Sequence, residues 1–393
     1  MTFRQVRTHD VVIVGGRCAG AATALLLARM GHDVALVDRA TFPSDTLSTH
    51  AISRSGVVQL NRWGLLDAVL ASGAPAIRSI GFGTPDGLAE RAVKATAGVD
   101  LLVAPRRHVL DTLLREAAAD SGVTLYEATT VTGLRRDAAG RVCGVDTSDG
   151  ELHGRWVVGA DGLRSKTARD VGARVRDRTI SPSGTFYAYV DDLDAGGFEF
   201  HLAPQALIGV FPTHGDQSCV WISAPDTDLA GLRSAGHEKP AALHRLIAVK
   251  APVLGRRLDR ARINAPVRGA LNLPNQVLDP IGPGWALVGD AGYHRDPITG
   301  HGITDAFRDA ELLACALDDE LSGRASEAEI ADRYDRTRSA ALRDVLQITR
   351  ALTAFPPLDQ FTALQKQLSA AIERESSWLA GLPVPGDAVP IAA

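Results

Sequence analysis

The stretch Val11–Gly20, VVIVGGRCAG, holds the first residues able to do chemistry. Four apolar residues run into Gly15, Gly16, Arg17, Cys18, Ala19 and Gly20, and a helical pattern follows. A helix that starts directly after a strand points free backbone N–H groups and the positive end of its dipole at whatever sits before it, which suits a phosphate. Gly15 and Gly20 take the outer places of G-x-G-x-x-G. Arg17 stands at the middle place, where a glycine normally lets the backbone approach a pyrophosphate. Arginine can keep a negative φ there and still donate its N–H, provided its side chain points away, so the cradle reads as rebuilt rather than broken. Asp38, beside Arg39, lies 23 residues beyond Gly15 at the end of the next apolar run, where a carboxylate can accept from ribose hydroxyls. The lesser alternative for the stretch taken alone is a glycine turn that only packs a helix on a sheet.

These residues need elements to hold them. Val11–Val14 predicts a strand, Ala22, Leu25, Leu26, Ala28 and Arg29 a helix ended by Gly31, and DVALVDR a second strand: a parallel strand–helix–strand unit. The weakly periodic ATFPSDTLSTHAISRSG leads into a helix over Val57–Trp63. Leu110–Ala128 predicts a helix, a Ser-Gly break and a strand, and alternating strands flank Asp149-Gly150. Between residues ~176 and 275, Tyr187, Tyr189, Phe198, Phe200, Phe211 and Trp221 fall in short alternating stretches, which predicts a mostly antiparallel sheet. The α/β pattern returns at Gly284, followed by a long helical stretch to about residue 375 and a frayed, proline-bearing tail, GLPVPGDAVPIAA.

Composition narrows the partners. The chain has 393 residues, 45% hydrophobic and 22% charged, which is globular; a net charge of −4 gives no pull toward nucleic acid. Cys18, Cys143, Cys219 and Cys315 are far apart with no C-x-x-C, which predicts a reduced cytoplasmic protein without a metal site. No apolar run approaches the ~18 residues that span a bilayer, and the polar start MTFRQVRTHD lacks a signal-peptide core. The oligomeric state is left open.

Two further motifs, VVGADGLRSKTAR (Val157–Arg169) and ALVGDAGYHRDPITGHGITDAFRDAELLA (Ala286–Ala314), join the first loop. In this order and spacing the three resemble the flavin motifs of the class A FAD-dependent monooxygenases, the aromatic-hydroxylase family. Geranylgeranyl reductases and flavin-dependent halogenases share them. The resemblance runs to about residue 350 and is weakest in the middle sheet. It implies that Asp290 contacts the ribityl chain of FAD, and that Asp161 and Gly162 serve both FAD and a nicotinamide cofactor. Pro297, Gly300 and Gly302 match the loop beside the flavin ring, whose amides lead into a helix at Thr304–Leu313. Arg107, favoured over Arg106, matches a residue touching FAD, and Val131 a backbone contact to adenine. The chain departs from the pattern at Arg17, at Tyr293 in place of histidine, at His301 in place of glutamine and at Thr304 in place of asparagine. His301 and His50 are the candidate catalytic residues. His301 either acts chemically or fills space beside the loop, and His50 either borders the flavin or caps the helix after it. Asp161 is otherwise a turn aspartate and Asp309 a solvated helix residue. The aromatics of the middle sheet are core, with one or two lining a substrate cavity.

The implied fold is mixed α/β: a Rossmann-like FAD-binding domain from segments 1–75, 106–175 and 276–325, with a substrate domain from 76–105 and the antiparallel sheet 176–275. C-terminal helices and a tail take 326–393. The implied activity is single-component monooxygenation of a small aromatic or polyketide-like molecule through a flavin C4a-hydroperoxide. NAD(P)H is a transient reductant, since no second dinucleotide fingerprint occurs. The alternatives are a reductase similar to geranylgeranyl reductase and a non-catalytic flavin-binding protein. Neither a G-x-S-x-G elbow nor the halogenases' W-x-W-x-I-P is present.

Overall fold

The computed structural model describes residues 7–84, 87–264 and 266–386. β1 (Arg7–Val14) buries its apolar half, α1 (Cys18–Arg29) follows the glycine turn, and β2 (Val34–Val37) returns parallel, Val11 opposite Val34 and Val14 opposite Val37. Then come α2 (Arg54–Arg62), α3 (Leu66–Ala71) and the antiparallel pair β3 (Ser79–Thr84) and β4 (Gly87–Ala92). α4 (Arg107–Asp120) leads to β5 (Thr124–Tyr126), parallel to β2. β6 (Val131–Arg136), β7 (Val142–Thr147) and β8 (Glu151–Gly159) form a meander before α5 (Lys166–Val171). β8 runs parallel to β1 on the side away from β2.

The middle of the chain builds a second sheet. After β9 (Val175–Ile180) come β10 (Ser183–Asp191), β11 (Phe198–Ala203), β12 (Ala206–Pro212) and β13 (Ser218–Pro225). Three helices follow, α6 (Asp226–Ser234), α7 (Lys239–Lys250) and α8 (Pro252–Leu258). β14 (Arg262–Ile263) and β15 (Arg268–Leu271) return to β10, while β16 (Pro274–Leu278) pairs with β9 in a small separate sheet. The order β14-β10-β13-β12-β11-β3-β4 is antiparallel except where β11 meets β3. Residues 176–275 are thus not sheet alone. The three helices escape periodicity because each is short and buries few apolar residues, only Leu243 and Ile247 in α7.

Alternation sorts the two faces of this sheet. Phe186, Ala188, Val190, Ile208, Val220 and Ile222 pack against α6–α8. Tyr187, Tyr189, Phe198, Phe211 and Trp221 face the other way. That second face is roofed by the C-terminal helices.

The chain rejoins the first sheet through β17 (Ile281–Gly282) and β18 (Trp285–Leu287), giving β17-β18-β8-β1-β2-β5; β19 (Tyr293–His294) joins β16. α9 (Gly302–Leu321) packs on α1, and α10 (Glu327–Thr353) starts with a Ser326/Glu329 capping box. α11 (Leu358–Ala380) lies on α2 and α10, and Ile348, Leu352, Phe361 and Leu368 close over the aromatic face. The tail does not fray at its start: Arg62 donates to the carbonyls of Leu382 and Pro383 (both 2.9 Å). Its last residues, 387–393, and residues 1–6 of the polar start lie outside the described residues. Among the described residues no helix is long and apolar enough to cross a membrane, and no group of His, Cys, Asp and Glu could hold a metal ion.

Candidate cofactor site

The glycine turn after β1 is shaped by close approach. Gly15 has φ +109°, and a Cβ on it would fall 2.4 Å from the Ala160 carbonyl oxygen; a Cβ on Gly20 would fall 1.8 Å from that of Gly15. The Gly16 N–H donates to Asp38 Oδ2 (2.6 Å), and the Ala40 N–H to Oδ1 (2.8 Å), so Asp38 ties the turn to the end of β2. Arg39 beside it is exposed. The Thr129 N–H donates to the Asp38 carbonyl (2.9 Å), bringing the start of β6 and Val131 to the same end. Arg17 is extended (φ −93°, ψ −168°), and its guanidinium is held by protein: Asp111 Oδ2 (2.8 Å), Ser44 Oγ (3.0 Å) and the Asp45 carbonyl (3.2 Å). Cys18 donates its thiol to Asp111 Oδ1 (3.1 Å), and burial pushes that thiol's pKa far up. Ala19 packs against Gly289, so the GDA turn rests on the glycine loop.

Asp111 is the residue that sequence reasoning missed. Its carboxylate is fully buried and gathers Arg17, Cys18 and Arg107, the last through three bonds of 3.0, 3.1 and 3.3 Å. The i, i+4 spacing of Arg107 and Asp111 was the one available signal. Arg106 takes a different path, stacking 3.5 Å over the Tyr189 ring and donating to Gln217 (3.0 Å). Solvent reaches Asp290. Even so, burial by surrounding protein lifts its pKa against nearby His294 and Arg107, as expected for a carboxyl on the wall of a recess. Asp161 braces the start of α5, whose N-cap is Ser165: Ser165 Oγ donates to one oxygen, and Thr167 N–H (3.0 Å) and Oγ1 (3.1 Å) to the other. The turn-aspartate reading describes that carboxylate, while its backbone and that of Ala160 abut Gly15. Gly162 follows at φ +80°.

The third motif makes a loop anchored from both sides. Asp296 accepts from the Ile298 N–H (2.9 Å) and Ser183 Oγ (3.0 Å), while its own N–H donates to Asn275 Oδ1 (2.8 Å). Pro297–Thr299 form a 3₁₀ turn, Gly300 reverses the chain at φ +66°, and α9 starts at Gly302. A Cβ on Gly300 or Gly302 would meet no atom within 4 Å, so this backbone faces open space. His301 is buried, its Nδ1 bonded to the Thr299 carbonyl and its Nε2 without a partner. Burial, helped by Arg295, lowers its pKa to about 4, which leaves a neutral ring with a free acceptor.

His50 does not cap α2; Ser53 holds that position. Ser53 and Thr304 share a hydrogen bond (2.9 Å), which joins the His50 segment to the first turn of α9. His50 sits at φ +65°, bonds through Nε2 to the Tyr189 hydroxyl and leaves Nδ1 unpaired. Burial, with Arg107 and Arg106, holds it well below its ordinary pKa. Tyr187 accepts from the Ser48 N–H (3.3 Å). Asp309 is not solvated: it is fully buried against Arg308 (2.8 Å).

The donor set fits a dinucleotide flavin. Buried polar atoms without partners line the places such a group would touch: Arg115 Nη1, set against Gly16, and Thr299 Oγ1 and His301 Nε2 on the open loop. An apolar cavity of about 160 Å³ between α2, α3 and α4 involves none of them.

A family model described as FAD binding domain matches residues 8–349. Menaquinone reductase of Mycobacterium tuberculosis is 28% identical over 354 residues, covering 86% of this chain and 84% of that protein. Ubiquinone hydroxylase UbiL of Rhodospirillum rubrum is 28% identical over 362 residues, covering 86% and 81%. PqsL of Pseudomonas aeruginosa, a probable FAD-dependent monooxygenase, superposes with a TM-score of 0.79 at 22% identity over 92% of this chain and all of that one, a likeness of fold. The chain belongs to the FAD-binding-domain family and is an FAD-dependent oxidoreductase.

Proposed function

We propose that this oxidoreductase is an NAD(P)H-using monooxygenase of small, apolar, aromatic or polyketide-like molecules. The observation that carries the reading is the dry aromatic face opposite the ring-side loop: Tyr187, Tyr189, Phe198, Phe211 and Trp221 are each no more than 4% exposed, and Ile298 of the loop packs in the same cluster. Oxygen chemistry demands such exclusion of water. FAD, when bound, supplies the electron transfer and the reaction with oxygen. The chain supplies binding and orientation. Asp38 and the N–H groups of Arg17–Gly20 would hold the adenosine and pyrophosphate, Asp290 the ribityl chain, and the backbone of loop 297–302 with the first amides of α9 the ring. His50, held neutral by burial, shares a hydrogen bond through Nε2 with the Tyr189 hydroxyl, whose pKa burial raises. Its unpaired Nδ1, with the unpaired Arg106 Nε and Trp221 Nε1, offers polar groups to a substrate oxygen or hydroxyl.

A second reading, reduction of an alkene or quinone, is favoured by the reductases among the relatives, which include digeranylgeranylglycerophospholipid reductase of Methanocella arvoryzae at 25% identity. Product analysis separates the two. Purified holoenzyme is given NADH or NADPH with phenolic, quinone and isoprenoid-alkene substrates, under labelled O₂ and anaerobically. Monooxygenation requires oxygen and places one labelled atom in the product. Complete anaerobic conversion with stoichiometric reductant and no label assigns the reductase reading instead.

A further inference from the structure

α9 begins directly after the ring-side loop and buries charge in its first two turns. Arg308 has no solvent exposure and holds Asp309 (2.8 Å), Asp305 Oδ1 (2.9 Å) and Glu375 Oε1 (2.9 Å). Asp305 gives its other oxygen to Arg295 Nε (2.8 Å). The chain of pairs Glu375–Arg308–Asp305–Arg295 therefore ends on both flanks of the loop, with Arg295 just before it and Asp305 just after. Glu375 belongs to α11, which lies beyond residue 349, where the match to the family ends. Its Oε2 also accepts from Ser55 Oγ (2.9 Å) in the first turn of α2, so one carboxylate fastens α11 to α2 and α9 together.

Three guanidinium groups, Arg295, Arg308 and Arg338, act on the carboxyls of Asp305, Asp309 and Glu375. Burial pushes the Asp309 carboxyl up. Glu375 is the carboxylate supplied from outside the family domain. Its charge reaches His301 on the loop.

We infer that Glu375 is a positioning residue that sets the field at the start of α9 and thereby the reduction potential of the bound flavin. This rests on the reading above that loop 297–302 lies beside the ring. Reduction adds negative charge to the ring, which the N-terminal end of α9 and the loop amides stabilise. Glu375 offsets Arg308 and restrains that effect, so losing its charge favours the reduced state.

The test measures the flavin potential of folded, FAD-loaded protein by equilibration with reference dyes. Glu375→Gln keeps the shape and removes the charge. It should shift the two-electron equilibrium toward reduced flavin by about tenfold, or ~30 mV upward. Glu375→Asp, which draws the carboxylate back from Arg308, should shift it in the same direction by about threefold. An unchanged or lowered potential in Glu375→Gln overturns the proposal. Should that variant fail to accumulate folded, the same outcome in Glu375→Asp decides. His301→Asn reports on the loop itself. A shift there with none in the Glu375 variants overturns the inference and leaves the loop reading standing, and silence in all of them overturns both.

Discussion

Replacing Arg17 by glycine restores the middle place of the glycine pattern and separates two roles for this residue. The guanidinium is spent on protein: one bond to the fully buried Asp111 and others to Ser44 and Asp45. A hydrogen bond to a charged group is worth about 1.5–3 kcal/mol. Arg17 makes no capping bond at the start of α1, and glycine is a favoured N-cap residue, so no capping loss is added. Asp111 keeps Arg107 and the Cys18 thiol, so the loss stays below the ~3–5 kcal/mol of an uncompensated buried charge. Arg17→Gly should therefore destabilise the apoprotein by about 2 kcal/mol in urea unfolding. FAD affinity, from quenching of flavin fluorescence, should change by no more than about tenfold, ~1.4 kcal/mol. Asp111→Ala should cost more, because it strands two guanidinium groups. A fall in FAD affinity beyond a hundredfold with apoprotein stability intact would make the guanidinium a phosphate ligand and refute the reasoning.

Asp290→Ala should purify largely without flavin, losing ~10–150-fold in affinity as a ribityl hydroxyl loses its acceptor (~1.5–3 kcal/mol); near-normal occupancy removes Asp290 from the site. Gly20→Ala drives a Cβ into the Gly15 carbonyl, and soluble variant protein should hold little or no FAD by absorbance. His301 has a folded pKa lowered to about 4, below its unfolded value of ~6.5. The unfolded chain binds the extra proton in that window, so this residue costs stability as pH falls from ~6.5 toward 4. His301→Asn should flatten that acid-side loss in apoprotein denaturation curves, and identical pH profiles would deny the shift.

The first sheet and the cofactor were legible because they depend on backbone, which glycine spacing and apolar runs report directly. Gly15, Gly20 and the strands on either side are local facts. Charges that meet across the chain were not legible. Asp111 looks like one more polar residue on an amphipathic helix until Arg17 arrives from 94 positions away. Asp305, Arg308, Asp309 and Glu311 look like the wet face of α9, yet all four are buried, and the carboxylate that completes the set lies 67 residues on. From sequence His50 reads as a residue near the flavin or at a helix start, and only the fold shows its Nε2 bonded to the Tyr189 hydroxyl. The helices α6–α8 hid because the sheet they cover supplies most of the apolar partners.

The threading of the first sheet has a consequence for how the protein is made. β1 precedes its neighbours in the chain: on one side it pairs with β8, and β8 waits in turn for β18 at residues 285–287. α9, which covers α1, comes later still. At roughly 5–20 residues per second, the nascent chain carries an unfinished nucleotide-binding core for about 15–60 s. Through that interval α4 covers part of α1, but the side that α9 will cover stays bare, and the outer edge of β8 stays open to wrong partners until β18 arrives. Fragments that stop before residue ~320 inherit this state permanently.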